Sequence, residues 1–258
     1  MEPTILCGQR RPSAADERAV QLSTGRAAAG QRAVGEKLWV AGQVITIRFL
    51  DGDEDLRAFT REYAAEWLEY ANLKFMWVES GYDAMVRISF AGSSSWSYIG
   101  TDVLLIGSDY PTMNIDTVRM RASLRGNERD ARYLVLHEFG HTLGLQHEQH
   151  HPLADIPWNR DEMYRYHMNE IGWTRAEVDR TYFLQWPVTA PHTAYDAKSI
   201  MHYPVERRFT IGKYEAAINQ DLSEHDKEFA QRAYPQTALP NIVPIIKTDE
   251  EHSDDILI

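Results

Sequence analysis

The chain has a single cysteine, Cys7, so no disulfide can form within it and the fold has to rest on a packed core. It has no apolar run of 18 or more residues, which excludes a membrane-spanning helix. Basic runs interleaved with aromatics are absent and the net charge is −11, which together argue against nucleic acid as a partner. The opening stretch, Met1 to Arg11, lacks the apolar core of a secretory signal. The expectation is a protein without a signal peptide, cytoplasmic or exported by a non-classical route. What is present suffices for a core: 258 residues, 43 % of them hydrophobic, fit one domain of about 200 residues with two tails.

The most informative segment is His137-Glu138-Phe139-Gly140-His141, continued by Thr142-Leu143-Gly144-Leu145-Gln146-His147-Glu148. Residues four apart share a helix face, so His137 and His141 can offer two ring nitrogens to one ion, with Glu138 about one residue's rotation away. A third ligand needs the chain to turn, and Gly144 is the residue that most easily takes φ > 0 and ends the helix. His147 follows that bend and completes three nitrogen ligands. The fourth position is left to water, as a catalytic zinc site requires. Upstream, Leu134 and Leu136 join Phe139 and Leu143 to pack this helix on a core.

A bare H-E-x-x-H on a surface helix can arise by chance. Here it extends to H-E-x-x-H-x-x-G-x-x-H and is followed by Ser199-Ile200-Met201-His202-Tyr203, which matches a Met-turn. His150 and His151 could compete with His147; the Gly144 spacing favours His147, and the other two read as solvated loop histidines. His202 is expected to hydrogen-bond within its turn.

With Glu148 directly after the third histidine and the turn in its Ser-Ile-Met-His-Tyr form, the chain resembles the astacin-like branch of the metzincin metalloproteases. Ser95-Trp96-Ser97-Tyr98-Ile99-Gly100 resembles the family's edge-strand segment, and Leu222-Ser223-Glu224-His225-Asp226-Lys227, running on to Tyr234, its closing helix. The resemblance covers roughly residues 36 to 235. It implies an α+β metzincin-type fold: a twisted mixed sheet with an antiparallel edge strand, an active-site helix and a mostly irregular C-terminal subdomain. It implies one Zn2+ per chain and a peptide or protein substrate. Met201 would be a hydrophobic floor under the metal, and Tyr203 an additional zinc ligand that swings away to stabilise the transition state. Glu148 would be a buried structural carboxylate that in secreted astacins pairs with the processed N-terminus. Animal astacins carry two disulfides, so the lack of any fits a disulfide-free microbial type.

The activity implied is hydrolysis of peptide bonds by a metal-activated water, with Glu138 as general base and Tyr203 as a hydrogen-bond donor to the oxyanion. The alternative is a zinc- or peptide-binding module of the same fold without turnover; the retained Glu138 argues against it, because a structural site has no use for that carboxylate. An extended substrate would pair with an exposed edge strand near residues 96 to 106. Arg207 and Arg208 follow the Met-turn where the main specificity pocket of a metzincin lies. An inward arginine would favour an acidic residue after the cleaved bond, and outward arginines would not.

The rest of the chain organises around this domain. Residues 1 to 35 read as a flexible leader with at most a short helix around Ala14 to Leu22. In some metalloprotease zymogens an N-terminal cysteine thiolate fills the open zinc position, and Cys7 is placed for that or is an incidental thiol. Strands are expected over 43–49, 74–78, 85–90 and 96–106, with the turn Asp51-Gly52-Asp53 after the first. Leu56, Phe59, Tyr63, Trp67 and Tyr70 recur at helical spacing as core. Short helices are expected over 161–167 and at the capping box Thr174-Arg175-Ala176-Glu177. Residues 236 to 258 form an acidic tail ending in Ile-Leu-Ile. A monomer is the default state.

Overall fold

The computed structural model describes residues 7–10, 37–126, 128–186 and 194–236. Six strands make one sheet: β1 (Cys7–Arg10), β2 (Val44–Phe49), β3 (Lys74–Trp77), β4 (Val86–Ser89), β5 (Ser95–Tyr98) and β6 (Met113–Asn114), in the spatial order β1-β5-β6-β4-β2-β3. All neighbours run parallel except β5 and β6, which pair antiparallel through Trp96–Asn114 and Ser97–Met113. The expected mixed sheet with an antiparallel strand toward one edge is therefore present.

Strand β2 alternates as its sequence does, with Ile45 and Ile47 fully buried between partly exposed neighbours. The turn Asp51-Gly52-Asp53 then starts helix α1 (Glu54–Ala64). Gly52 takes φ +86°, Asp53 caps the helix by accepting from Leu56 N, and Asp51 accepts from Phe90 N at 2.6 Å and Ser89 Oγ at 2.8 Å. The turn is thereby tied to the end of β4. The aromatic stripe that follows is core, but not one helix: α1 gives way to a 3-10 turn at Ala65–Glu69 that carries the buried Trp67.

The expected strand over 96–106 is shorter in the structure. The strand spans Ser95–Tyr98, and Gly100–Leu105 turns as a 3-10 helix. Gly100 explains the break: it takes φ +48°, and a Cβ there would lie 2.0 Å from Lys37 O, a close approach only glycine permits. Buried Asp102 then receives the Lys37 ammonium at 2.6 Å. Nor is β5 an open edge, because β1 pairs with it, Cys7 opposite Ser95 and Arg10 opposite Tyr98. The leader reading provided no strand there, and the helix suggested near Ala14 lies outside the described residues.

Between 107 and 130 the sequence pattern points to no element, and the structure adds β6 and helix α2 (Thr117–Leu124), capped by Asp116 accepting from Val118 N and Arg119 N. Helix α3 (Glu128–Thr142) follows and is buried on every side from Ala131 onward apart from Arg132. A helix hidden all round needs its end carbonyls satisfied by protein. Trp39 Nε1 reaches Thr142 O at 2.7 Å and Tyr234 Oη reaches Leu143 O at 2.7 Å, while Trp67 Nε1 adds a bond to Leu136 O.

Beyond α3 the chain has little regular structure, as expected. Helices α4 (Arg160–Tyr166) and α5 (Arg175–Val178) are short, each followed by a π turn, and α5 begins with the expected Thr174/Glu177 capping box. Helix α6 (Glu224–Ala233) closes the fold, with its own capping box at Ser223 and Asp226. No helix among the described residues is long and apolar enough to cross a membrane.

Candidate active site

Helix α3 places His137, Glu138 and His141 in the molecular interior, all three completely buried. It stops where the sequence suggested: Gly144 takes φ +95°, its amide bonds back to His141 O, and Leu145 N bonds to Gly140 O. A Cβ on Gly144 would lie 2.7 Å from Leu38 Cδ2, so packing as well as φ selects glycine there. The bend brings His147 back, and its ring centre lies 4.6 Å from that of His141 and 5.2 Å from that of His137.

The three imidazoles fit a single metal ion. One ring nitrogen from each lies within 4.8 Å of the others. His137 and His141 donate through Nδ1 to Ile200 O at 2.8 Å and Leu145 O at 2.9 Å, which leaves the Nε2 lone pairs facing inward. The Nε2 atoms of His141 and His147 are 3.0 Å apart, near the roughly 3.3 Å of two tetrahedral ligands at about 2.0–2.1 Å from zinc. Among the described residues, His137 Nε2 has no hydrogen-bond partner although it is buried. Burial pushes all three imidazoles down, His141 to about 4 and the other two well below the usual value, so they are neutral, as metal ligands must be.

Beneath this group runs the turn Ser199–Tyr203, all of it buried. Glu148 N bonds to Met201 O at 3.1 Å, and the Tyr203 ring lies 4.4 Å from that of His147, tilted by 52°. His202 bonds within the turn as expected, Nδ1 to Tyr203 O at 2.6 Å, and its Nε2 accepts from Tyr195 Oη at 2.8 Å.

The model of the Astacin peptidase family matches residues 120–238, a span that holds the helix, the bend and the turn. Among solved structures, one of myroilysin is 36 % identical to this chain and superposes with a TM-score of 0.72. That match covers 80 % of this chain and 98 % of myroilysin. The chain belongs to the astacin family. A second structure of myroilysin matches at 32 % identity, covering 91 % of this chain and 93 % of that one, with a TM-score of 0.62. High choriolytic enzyme 1, a hatching enzyme zinc-protease from Oryzias latipes (Medaka fish), matches at 17 % identity and TM-score 0.52 over 79 % of this chain and 96 % of that one, a likeness of fold alone. A comparison with curated proteins returns no match. The chain is thus a zinc metalloendopeptidase of the astacin family, with a histidine triad able to hold a metal.

Two features of this astacin depart from the sequence reading or were missed by it. His150 and His151 are not solvated: they are 4 % and 6 % exposed. A 3-10 turn folds His150 under the segment 181–186, where its Nε2 bonds to Thr181 O at 2.8 Å, 5.7 Å ring to ring from His147, while the His151 ring lies 6.0 Å from that of Tyr195. His150 lies behind His147, and neither joins the group of three. Gly140, an unremarked position of H-E-x-x-H, proves structural, since a Cβ on it would lie 2.4 Å from Met201 Sδ and 3.2 Å from Trp67 Cζ2. The signal was legible in principle, because a glycine inside a helix costs about 1 kcal/mol against alanine and asks for a packing reason.

Glu148 is half-buried, where the family resemblance implied a buried carboxylate. Its Oε1 accepts from Asp196 N at 2.8 Å, and burial, reinforced by the carboxylates of Asp226 and Asp196, pushes its carboxyl up to about 8. Arg208 is held on the Met-turn side by Glu206 at 2.9 Å and lies over the rings of Tyr166 and Phe209 at 4.3 and 4.5 Å. Arg207 is exposed.

Proposed function

We propose that His137, His141 and His147 hold one zinc ion in a monomeric chain, with Glu138 as the general base and Tyr203 as the donor to the oxyanion. The observation that carries this is the convergence of three neutral, buried imidazoles, two of which have their outward nitrogens already occupied by backbone carbonyls. A zinc ion in such a setting supplies Lewis acidity, which makes water nucleophilic near neutral pH and polarises a carbonyl. Glu138, one residue beyond His137 on α3, takes the proton of the attacking water and returns it to the leaving amine. Tyr203, packed against His147, gives a hydrogen bond to the charge that develops on the scissile carbonyl.

The substrate is an extended peptide that adds to the sheet beside β5. Residues 7–10 lie along that same strand, so residues 1–35 act as a leader that competes for the edge. Selectivity after the cleaved bond comes from the wall at Arg208, whose charge is shared with Glu206; this weakens the preference for an acidic residue that a free guanidinium would impose.

Cleavage of casein by the full chain, with and without chelator, tests the reading beside Glu138→Gln and a chain starting at Gly35. Chelator-sensitive cleavage that Glu138→Gln abolishes while still binding one zinc supports it. Faster cleavage by the shortened chain supports the leader. One zinc per chain with no cleavage in any form would favour a binding module.

A further inference from the structure

Ser199 and Asp226 do not reach the metal position, yet an unbroken line of hydrogen bonds joins them to it. His137 Nδ1 donates to Ile200 O at 2.8 Å. The amide of that same peptide group, Met201 N, donates to Ser199 Oγ at 3.0 Å. The Ser199 hydroxyl has one proton to give, and it goes to Asp226 Oδ1 at 2.7 Å. The other carboxylate oxygen, Oδ2, accepts from Ile200 N at 2.8 Å and from Ser223 N at 2.9 Å. His137, Ile200, Ser199 and Asp226 are each 3 % exposed or less, so water does not compete for these bonds.

Resting on the zinc site proposed above, we propose that Ser199 and Asp226 are positioning residues for the ligand His137. Metal-binding histidines commonly give their second N–H to a carboxylate, which fixes the tautomer and raises the basicity of the nitrogen on the metal. Here the same partnership is made at a distance, with a hydroxyl and a peptide group inserted. Each hydrogen bond in a chain polarises the next. An acceptor on the Met201 amide therefore makes Ile200 O a stronger acceptor, and that strengthens its hold on His137 Nδ1–H. The arrangement also explains why α6 is docked under the Met-turn: its capping residue Asp226 closes the chain.

Asp226 also caps α6 and anchors the Ile200 amide, so its loss would disturb folding as well. Ser199 separates the two roles, because Ser199→Ala removes the link and leaves both amide bonds of Asp226 in place. Asn219→Ala is the control: it deletes bonds to Ala197 O and Ser199 O at 2.9 and 2.8 Å, loosening the same turn without touching the chain to His137. Zinc affinity of the full-length protein would be measured by competition with a fluorescent chelator, beside the unfolding midpoint of the metal-free forms. The expected result is a zinc affinity about tenfold or more lower for Ser199→Ala, the usual size of an outer-partner effect, and within about twofold of the unaltered chain for Asn219→Ala. An affinity for Ser199→Ala within about twofold of the unaltered chain, or a loss equal to that of Asn219→Ala, would overturn the inference. Failure of the unaltered chain to bind zinc would instead overturn the function proposed above, and this inference with it.

Discussion

The two halves of this astacin are built on different physics. From residue 37 to Gly144 the backbone is paired mainly with itself, in a sheet and three helices over one apolar core that includes Ile45, Ile47, Val86, Ile88, Phe139 and Leu143. From His147 to Tyr234 the described strand pairing amounts to two isolated bridges, Trp158–Thr210 and Val205–Ala216. What replaces it is a set of aromatic rings around His167, Tyr182, Tyr203 and Phe209, and side chains bonding to backbone, as at His150, Asn219 and Asp226. The first half therefore supplies rigid placement for two of the proposed ligands and the proposed base, and the second supplies groups whose position depends on side-chain packing.

The comparison predicts unequal consequences when each half loses its proposed reacting group. Glu138→Gln should lower kcat by about 10²–10⁴ or more, the range for general acid–base catalysis, with zinc stoichiometry unchanged. Tyr203→Phe should cost about 10²–10³, the range for one oxyanion donor. Steady-state kinetics on a single quenched peptide orders the two. A larger loss from Tyr203→Phe would mean that the second half carries the chemistry, and would break the division.

The seam between the halves is the next place to press. Gly140→Ala drives a methyl into Met201 Sδ with Trp67 closing the other side. Overpacking of this kind costs about 1–3 kcal/mol, against about 1 kcal/mol gained from helix propensity, so a net loss of up to about 2 kcal/mol is expected in urea unfolding. A gain would show that the seam yields.

Arg132 is a second clasp. It pairs with Glu66 in the first half and with Gln220 O and Asp221 in the second. Arg132→Met should cost about 1.5–3 kcal/mol, as for hydrogen bonds to charged groups. Hydrogen exchange should place the loosening at 219–222 rather than in the sheet.

The same contrast decides what the sequence could tell. Strand β2 was legible because alternation follows directly from burying one face, and α3 because ligand spacing and helix period coincide. The histidine triad able to hold a metal and the Ser199–Tyr203 turn were legible as a motif, whose spacing encodes a geometry. Three things were not. The strand expected over 96–106 stops at Tyr98 because a glycine meets a backbone carbonyl 63 residues upstream, at Lys37. The burial of His150 depends on a cover formed by residues 181–186, and His151 lies beside the Tyr195 ring. Arg87, fully charged by sequence, lies buried in β4 with its guanidinium spent on the carbonyls of Ala84, Ile106, Gly107 and Tyr110. Each depends on contacts distant along the chain, which periodicity cannot see.

The smallest expected effect concerns pH. His167 is buried in the aromatic cluster of the second half, donating from Nδ1 to Met163 O at 2.8 Å and accepting at Nε2 from Tyr182 Oη at 3.0 Å. Burial holds its pKa below the usual 6.5, with Arg208 opposing protonation further. The folded state thus binds this proton less readily than the unfolded chain does. Its contribution to stability is complete above about pH 6.5 and is lost as the pH falls from there toward the folded value, at no more than about 1.4 kcal/mol per pH unit for one proton. The histidine triad also titrates in acid, so the measurement is a difference: urea unfolding of the metal-free protein from pH 7.5 to 5, beside His167→Gln. The variant should be less stable near neutrality and show a shallower decline toward acid. Parallel declines would mean that the cluster opens before His167 is asked to ionise, and that the second half is softer than its packing implies.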